Sequence, residues 1–113
     1  MYSKAMIFAA VAAFTSTVSA LSGDMTWFNP GLGACGRTDN DGSPVVALNS
    51  ADYANGAHCG KWITIQANGH QTAAQVVDLC PGCGTHGIDV APAIFDDIAS
   101  LDVGRVKVTW FFQ

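Results

Sequence analysis

Apolar and polar positions alternate most regularly near the end of the chain. From Arg105 to Phe112, Val106, Val108, Trp110 and Phe112 fall on one side and Lys107, Thr109 and Phe111 on the other. A period of two predicts a strand with one face buried. Lys61 to Gln66 alternates in the same way, and Asn68-Gly69 predicts a tight hairpin into a second strand over Thr72 to Asp78. Val45 to Leu48 is wholly apolar and reads as a buried strand. Met25 to Phe28 has strand composition and stops at the turn signature Asn29-Pro30-Gly31, while Leu21 to Asp24 reads as a short tail. Ile88-Asp89-Val90 is a brief strand. Behind Pro92, which favours a first helical position, Ile94, Phe95, Ile98 and Leu101 follow helical spacing, with Asp96 and Asp97 on the solvated face. Ser50 is placed to cap a single turn over Ala51 to Tyr53, ended by Asn55-Gly56. Arg37 to Pro44 is polar and rich in turn formers, an exposed loop.

Six short strands with one or two short helices predict a mostly β fold, and closing them into a barrel leaves no sticky edge. Residues 1–20 stand outside that count. Lys4 is followed by the apolar run Ala5 to Val18, and Val18-Ser19-Ala20 ends in small residues, the pattern of a secretory leader cut after Ala20. The run is too short and too interrupted by Ser and Thr to span a bilayer of about 20 apolar residues. Residues 21–113 then form one domain of about 93 residues with a small core. All four cysteines, Cys35, Cys59, Cys80 and Cys83, lie in it. In a secreted chain an even count reads as two disulfides rather than a zinc site on the lone CxxC. Hairpin geometry alone leaves Cys59 with Cys80 open as a pairing. Without Lys4 the formal charge falls from −4 to −5, and every acid is Asp. Such a chain does not draw nucleic acid or an anionic membrane through its own field, so uncharged polymers or proteins are the expected partners.

The candidate chemistry centres on Gln75 to Ala99, where Asp78 and Asp89 end the two strands flanking Cys80-Pro81-Gly82-Cys83-Gly84. Asp78 beside a turn could equally cap backbone N–H groups. His58, His70 and His86 sit in loops and at a hairpin tip at no metal-ligand spacing; neither a metal nor a cofactor is implied. Of the aromatic residues, Trp62 and Trp110 are expected in the core. Trp27 and Tyr53 are the candidates for stacking on a sugar.

Five segments, in order, carry a resemblance: Thr26-Trp27-Phe28-Asn29-Pro30-Gly31 through Cys35-Gly36; Cys59-Gly60-Lys61; Val77-Asp78-Leu79-Cys80-Pro81-Gly82-Cys83; Gly87-Ile88-Asp89-Val90-Ala91-Pro92 with Phe95; and Gly104-Arg105-Val106-Lys107-Val108-Thr109-Trp110. Together they resemble the six-stranded double-psi β-barrel of expansin-related proteins, with small secreted single-barrel members of the loosenin-like and RlpA-like group nearest in pattern. Barwin and the expansin N-terminal domain are more distant. The resemblance implies a shallow groove holding Thr26, Asp78 and Asp89, with Asp89 at the position of the essential expansin acid. It also implies the pairings Cys35–Cys59 and Cys80–Cys83. Where bacterial expansins carry a groove Tyr two residues after the first Asp, this chain has Cys80.

Inverting hydrolysis needs an acid and a base roughly 6.5–9.5 Å apart. In hydrolase relatives the base follows the N-terminal Thr, but here that segment, Trp27 to Pro30, has no acid. Asp24 precedes Thr26 and is expected to point elsewhere. The expectation is therefore a secreted, extracellular monomer that binds cell-wall polysaccharide (cellulose, chitin or peptidoglycan) and loosens it without hydrolysis. Two rivals are a cysteine-protease inhibitor or effector acting through loops such as Arg37 to Pro44, and a weak glycan lyase or hydrolase using Asp89 as its acid.

Overall fold

The computed structural model describes residues 19–113, so the leader expected over residues 1–20 lies outside the described residues except for its last two. Six strands close into a barrel: β1 (Leu21–Trp27), β2 (Val45–Asn49), β3 (Trp62–Ala67), β4 (His70–Cys80), β5 (Ile88–Val90) and β6 (Val106–Phe112). Around the barrel they run β1-β5-β2-β4-β3-β6, and β6 returns to β1. The pairs β1/β5 and β2/β4 are parallel and the other four antiparallel. Two short helices, α1 (Ser50–Tyr53) and α2 (Pro92–Asp96), and two single 3-10 turns complete the described chain.

The hairpin between β3 and β4 turns at Asn68 and Gly69, both at positive φ (54° and 76°), as the Asn-Gly pair predicts. The core gathers Met25, Val46, Leu48, Ile63, Ile65, Ile88, Phe95 and Trp110, all at 0% exposure. Trp110 is thus where its alternation predicts. Trp62 is not: it stays 39% exposed, because register turns Ile63 and Ile65 inward and leaves Trp62 on the outer face. The supposed tail Leu21 to Asp24 is strand, paired with Trp110 through Lys107 of β6. Ser, Gly and Asp form strands poorly by themselves, and the ladder supplied by β6 overrides them.

The first helix is capped one residue earlier than expected, since Asn49 rather than Ser50 accepts from the Asp52 N–H. The second stops at Asp96, although Ile98 is still buried and Leu101 packs on the core from the turn Leu101–Val103. That turn is fixed by the Leu101 carbonyl, which accepts from Trp27 Nε1 at 3.0 Å.

The disulfides are Cys35–Cys59 and Cys80–Cys83, the pairing that the resemblance implied. They span 24 and 3 residues. Loop-closure entropy then assigns about 3.5 kcal/mol to the first and about 2 kcal/mol to the second. Replacing both members of each pair by Ser and measuring urea unfolding should show the larger loss for Cys35–Cys59; the reverse order would mean that local packing outweighs chain entropy.

Candidate functional site

Four residues on four neighbouring strands form one row. Thr26 on β1 is opposite Asp89 on β5, Asp89 is opposite Ala47 on β2, and Ala47 is opposite Asp78 on β4. Paired residues share a face of the sheet, so the row carries a hydroxyl, a carboxyl, a methyl and a second carboxyl in line. Thr26 Oγ1 donates to Asp89 Oδ1 at 3.0 Å. Ala47, buried between the aspartates, is too small to push them apart.

Asp78 has a structural duty as well. Its Oδ1 accepts from the backbone N–H of Ala34 and of its own neighbour Leu79, both at 2.8 Å. The first bond holds the loop after β1 against β4. Gly33 makes that fit possible, since a Cβ there would lie 2.3 Å from the Val77 carbonyl oxygen. Cys35 N donates to the same carbonyl at 3.0 Å. The capping reading of Asp78 is therefore realised, and the backbone holds the carboxylate beside Asp89.

Asp89 is half-buried, and burial raises its pKa; the charge of Asp78 pushes the same way, against the Thr26 hydrogen bond and the charge of Arg105. Asp24 behaves oppositely. Alternation along β1 puts it on the outer face with Ser22 and Thr26, about 7 Å from Thr26. Its carboxylate meets Lys107 Nζ at 3.0 Å and Arg105 at 3.3 Å. The Lys107 hydrogen bond holds its carboxyl below the usual range, and Arg105 adds to this. The expectation that Asp24 points away on a flexible end is thus corrected: β6 pairing makes this stretch a strand, and the strand's period aims Asp24 with Thr26.

A cavity of about 310 Å³ continues from Thr26 along this face. Ser22, Asp24, Arg105 and Lys107 line one side, and the Cys80–Cys83 disulfide with Gly82 to Thr85 lines the other. Cys80 is part of this wall. The wall is clamped from behind. His86 Nδ1 is 2.8 Å from Asp52 Oδ2, Asn49 Nδ2 donates to Asp52 and to the Gly87 carbonyl, and Trp110 Nε1 donates to the His86 carbonyl at 2.8 Å.

Thr26, Asp78 and Asp89 thus come together. Of the three, Thr26 lines the cavity, which continues from the end of their row; Trp27 and Tyr53 do not line it. Trp27 faces the opposite side of β1 and packs on the core, while the Tyr53 hydroxyl lies 3.7 Å from Cys59 Sγ. Sequence reasoning missed Asp24, Arg105 and Lys107 as groove residues. The alternation of β1 and β6 could have found them had Leu21 to Asp24 been recognised as strand.

No protein-family profile matches the chain. Among curated relatives, Allergen Asp f 7 of Aspergillus fumigatus is 31% identical over 97 residues, covering 80% of this chain and 36% of its own length. The chain spans between 36% and 47% of the length of the first curated relatives it matches. Among solved structures, the Streptomyces papain inhibitor superposes with a TM-score of 0.75 at 31% identity, over 87% of this chain and 98% of that one. A mutant Clavibacter michiganensis expansin in complex with cellohexaose gives a TM-score of 0.77 at 20% identity, over 84% of this chain and 50% of that one, a likeness of fold alone. With the barrel order, both disulfides and a relative matched over nearly its whole length, the chain belongs to the barwin-like, expansin-related double-psi β-barrel family.

Proposed function

We propose that this is a secreted protein whose groove binds cell-wall polysaccharide and loosens it without cutting it. The observation that carries this reading is the row Thr26–Asp89–Ala47–Asp78, with a half-buried acid at its centre. A carboxyl that keeps its proton can donate to a sugar oxygen, while Thr26 and the second carboxylate fix its orientation. Hydrolysis would need a carboxylate free to activate water across the ring. Asp78 spends Oδ1 on two backbone donors, and Asp24 is engaged by two cations. Both arrangements favour gripping over cleavage. Two disulfides agree with an oxidising, extracellular setting, and the leader reading points the same way.

Asp89→Asn removes the acidic proton and keeps an acceptor for Thr26. Pull-down on insoluble cellulose, chitin and peptidoglycan should show roughly ten-fold weaker retention on whichever polymer the wild type binds, the loss of one hydrogen bond. Wall extension under load should fall with it. Unchanged retention and extension would remove Asp89 from the mechanism.

Linkage fixes the sign of the pH effect. Asp89 has a raised pKa when folded, so the native state holds its proton more tightly than the unfolded chain does. No penalty exists below the ordinary value of 3.8; it grows as pH rises towards the folded pKa and is constant above. Asp89→Asn escapes it. The Tm of the variant relative to wild type should therefore be higher at about pH 7 than at about pH 3, as differential scanning fluorimetry can measure. A difference independent of pH would mean that the side chain titrates as in the unfolded chain.

A second reading has its own support. The papain inhibitor is matched over 98% of its length, and Leu32 stands 76% exposed on the loop that Cys35–Cys59 and Asp78 hold rigid. A rigid loop with an exposed apolar tip suits a protease cleft, because little order is lost on binding. If this reading holds, the purified protein inhibits papain and Leu32→Ala weakens inhibition about ten-fold or more; no inhibition at micromolar protein would exclude it.

A further inference from the structure

The chain carries five Lys and Arg residues, one of them Lys4 in the leader segment. Of the other four, Arg105 and Lys107 both line the cavity beside Thr26. They lie two residues apart on one edge of the barrel, Lys107 within β6 and Arg105 just before it, so strand alternation aims them the same way. Asp24, opposite Lys107 in the β1/β6 ladder, is the carboxylate between them. A formal charge of +1 therefore remains at this end of the groove, in a protein whose overall charge is −4. Both cationic side chains stay largely open to solvent, at 66% and 81% exposure. Each has donors left after its bond to Asp24, because a guanidinium offers five and an ammonium three.

A neutral glycan uses no such concentration of positive charge. We propose that this end of the groove receives the carboxylate of a uronate-bearing polysaccharide, with the neutral part of the chain lying along Thr26 and Asp89. The inference rests on the polysaccharide reading above and adds the substrate class. Arg105 suits the task, since its planar fork matches a carboxylate bidentately. Asp24 holds the two cations in register and competes with the ligand for them. The Asp78 carboxylate disfavours a second carboxylate further along. The geometry thus selects a chain with spaced acidic branches over one with a carboxylate on every sugar.

The test uses a xylo-oligosaccharide bearing one glucuronate branch, and the same compound with that carboxylate reduced to a primary alcohol. Titration calorimetry of the purified protein at low ionic strength should find the acidic compound bound roughly five-fold more tightly, with the gap narrowing as salt is added. Arg105→Gln with Lys107→Gln should close the gap, whereas Asp24→Asn should widen it, an opposite sign that misfolding would not produce. Equal affinity for the two compounds, or a gap that survives the double variant, overturns the inference. If both compounds bind equally and Asp89→Asn weakens both, the inference fails while the polysaccharide reading stands. If neither binds, and insoluble polymers are not retained either, both fail. A muropeptide bound in a charge-dependent way, with no gap between the two xylo-oligosaccharides, would assign the site to peptide rather than sugar carboxylates and also overturn it.

Discussion

Gly23 and the carbonyl of His86 meet closer than any side chain would permit: a Cβ on Gly23 would lie 2.2 Å from that oxygen and 2.9 Å from the nitrogen of Gly87. This contact lets the segment after the Cys80–Cys83 turn come down onto β1. The same carbonyl accepts the Trp110 indole N–H, so one oxygen joins the groove wall to the core. His86 sits at φ +54°, an uncommon conformation for a residue with a side chain, and its bond to Asp52 holds it there. With the wall seated, Ile88 to Val90 enters parallel to β1, and the register that sets Asp89 opposite Thr26 follows. Asp89 is an acid in the right place because a glycine 66 positions earlier has no side chain.

Local signals were legible where local chemistry decides. Asn68-Gly69 made its hairpin, Pro92 opened its helix, and the alternation of β6 placed Trp110 inside. The sequence also singled out Asp78 and Asp89 by their places at the ends of the strands flanking Cys80 to Gly84, whereas Thr26 came only through a resemblance spread over five segments. What it hid depends on partners distant along the chain. Leu21 to Asp24 reads as a tail until β6 is beside it. Trp62 has the right alternation on the wrong face, because a period of two defines two sides without saying which is buried. The clamp of Asn49, Asp52, His86 and Gly87 joins residues up to 38 positions apart, and no spacing announces it.

The electrostatics of the groove follow from the same topology. Two carboxyls on neighbouring strands, Asp24 on β1 and Asp89 on β5, begin with the same intrinsic acidity, and their surroundings separate them. Asp89 lies where burial and then the neighbouring Asp78 make its charge costly, so its pKa is raised. Asp24 is farther along β1, beside two cations from the end of the chain, and leans towards the charged form. A carboxyl with a raised pKa beside a carboxylate held by two cations makes a poor hydrolytic couple, since the second has little tendency to take a proton from water.

That division explains why a small domain can present such a site without a large core. The tight features, the close approaches at Gly23 and Gly33 and the positive φ of His86, lie in the backbone rather than in the side chains that would meet a ligand. Each of these three contacts is braced by a feature distant in sequence: Trp110, the Asp78 carboxylate and Asp52. The outer wall needs its own staple because Cys80 to Thr85 is largely exposed and has little apolar surface to bury. The Cys80–Cys83 bond therefore limits how far that wall can move once the carbonyl of His86 is anchored. A groove built this way is formed before its ligand arrives. Little ordering entropy would then be lost when a ligand binds.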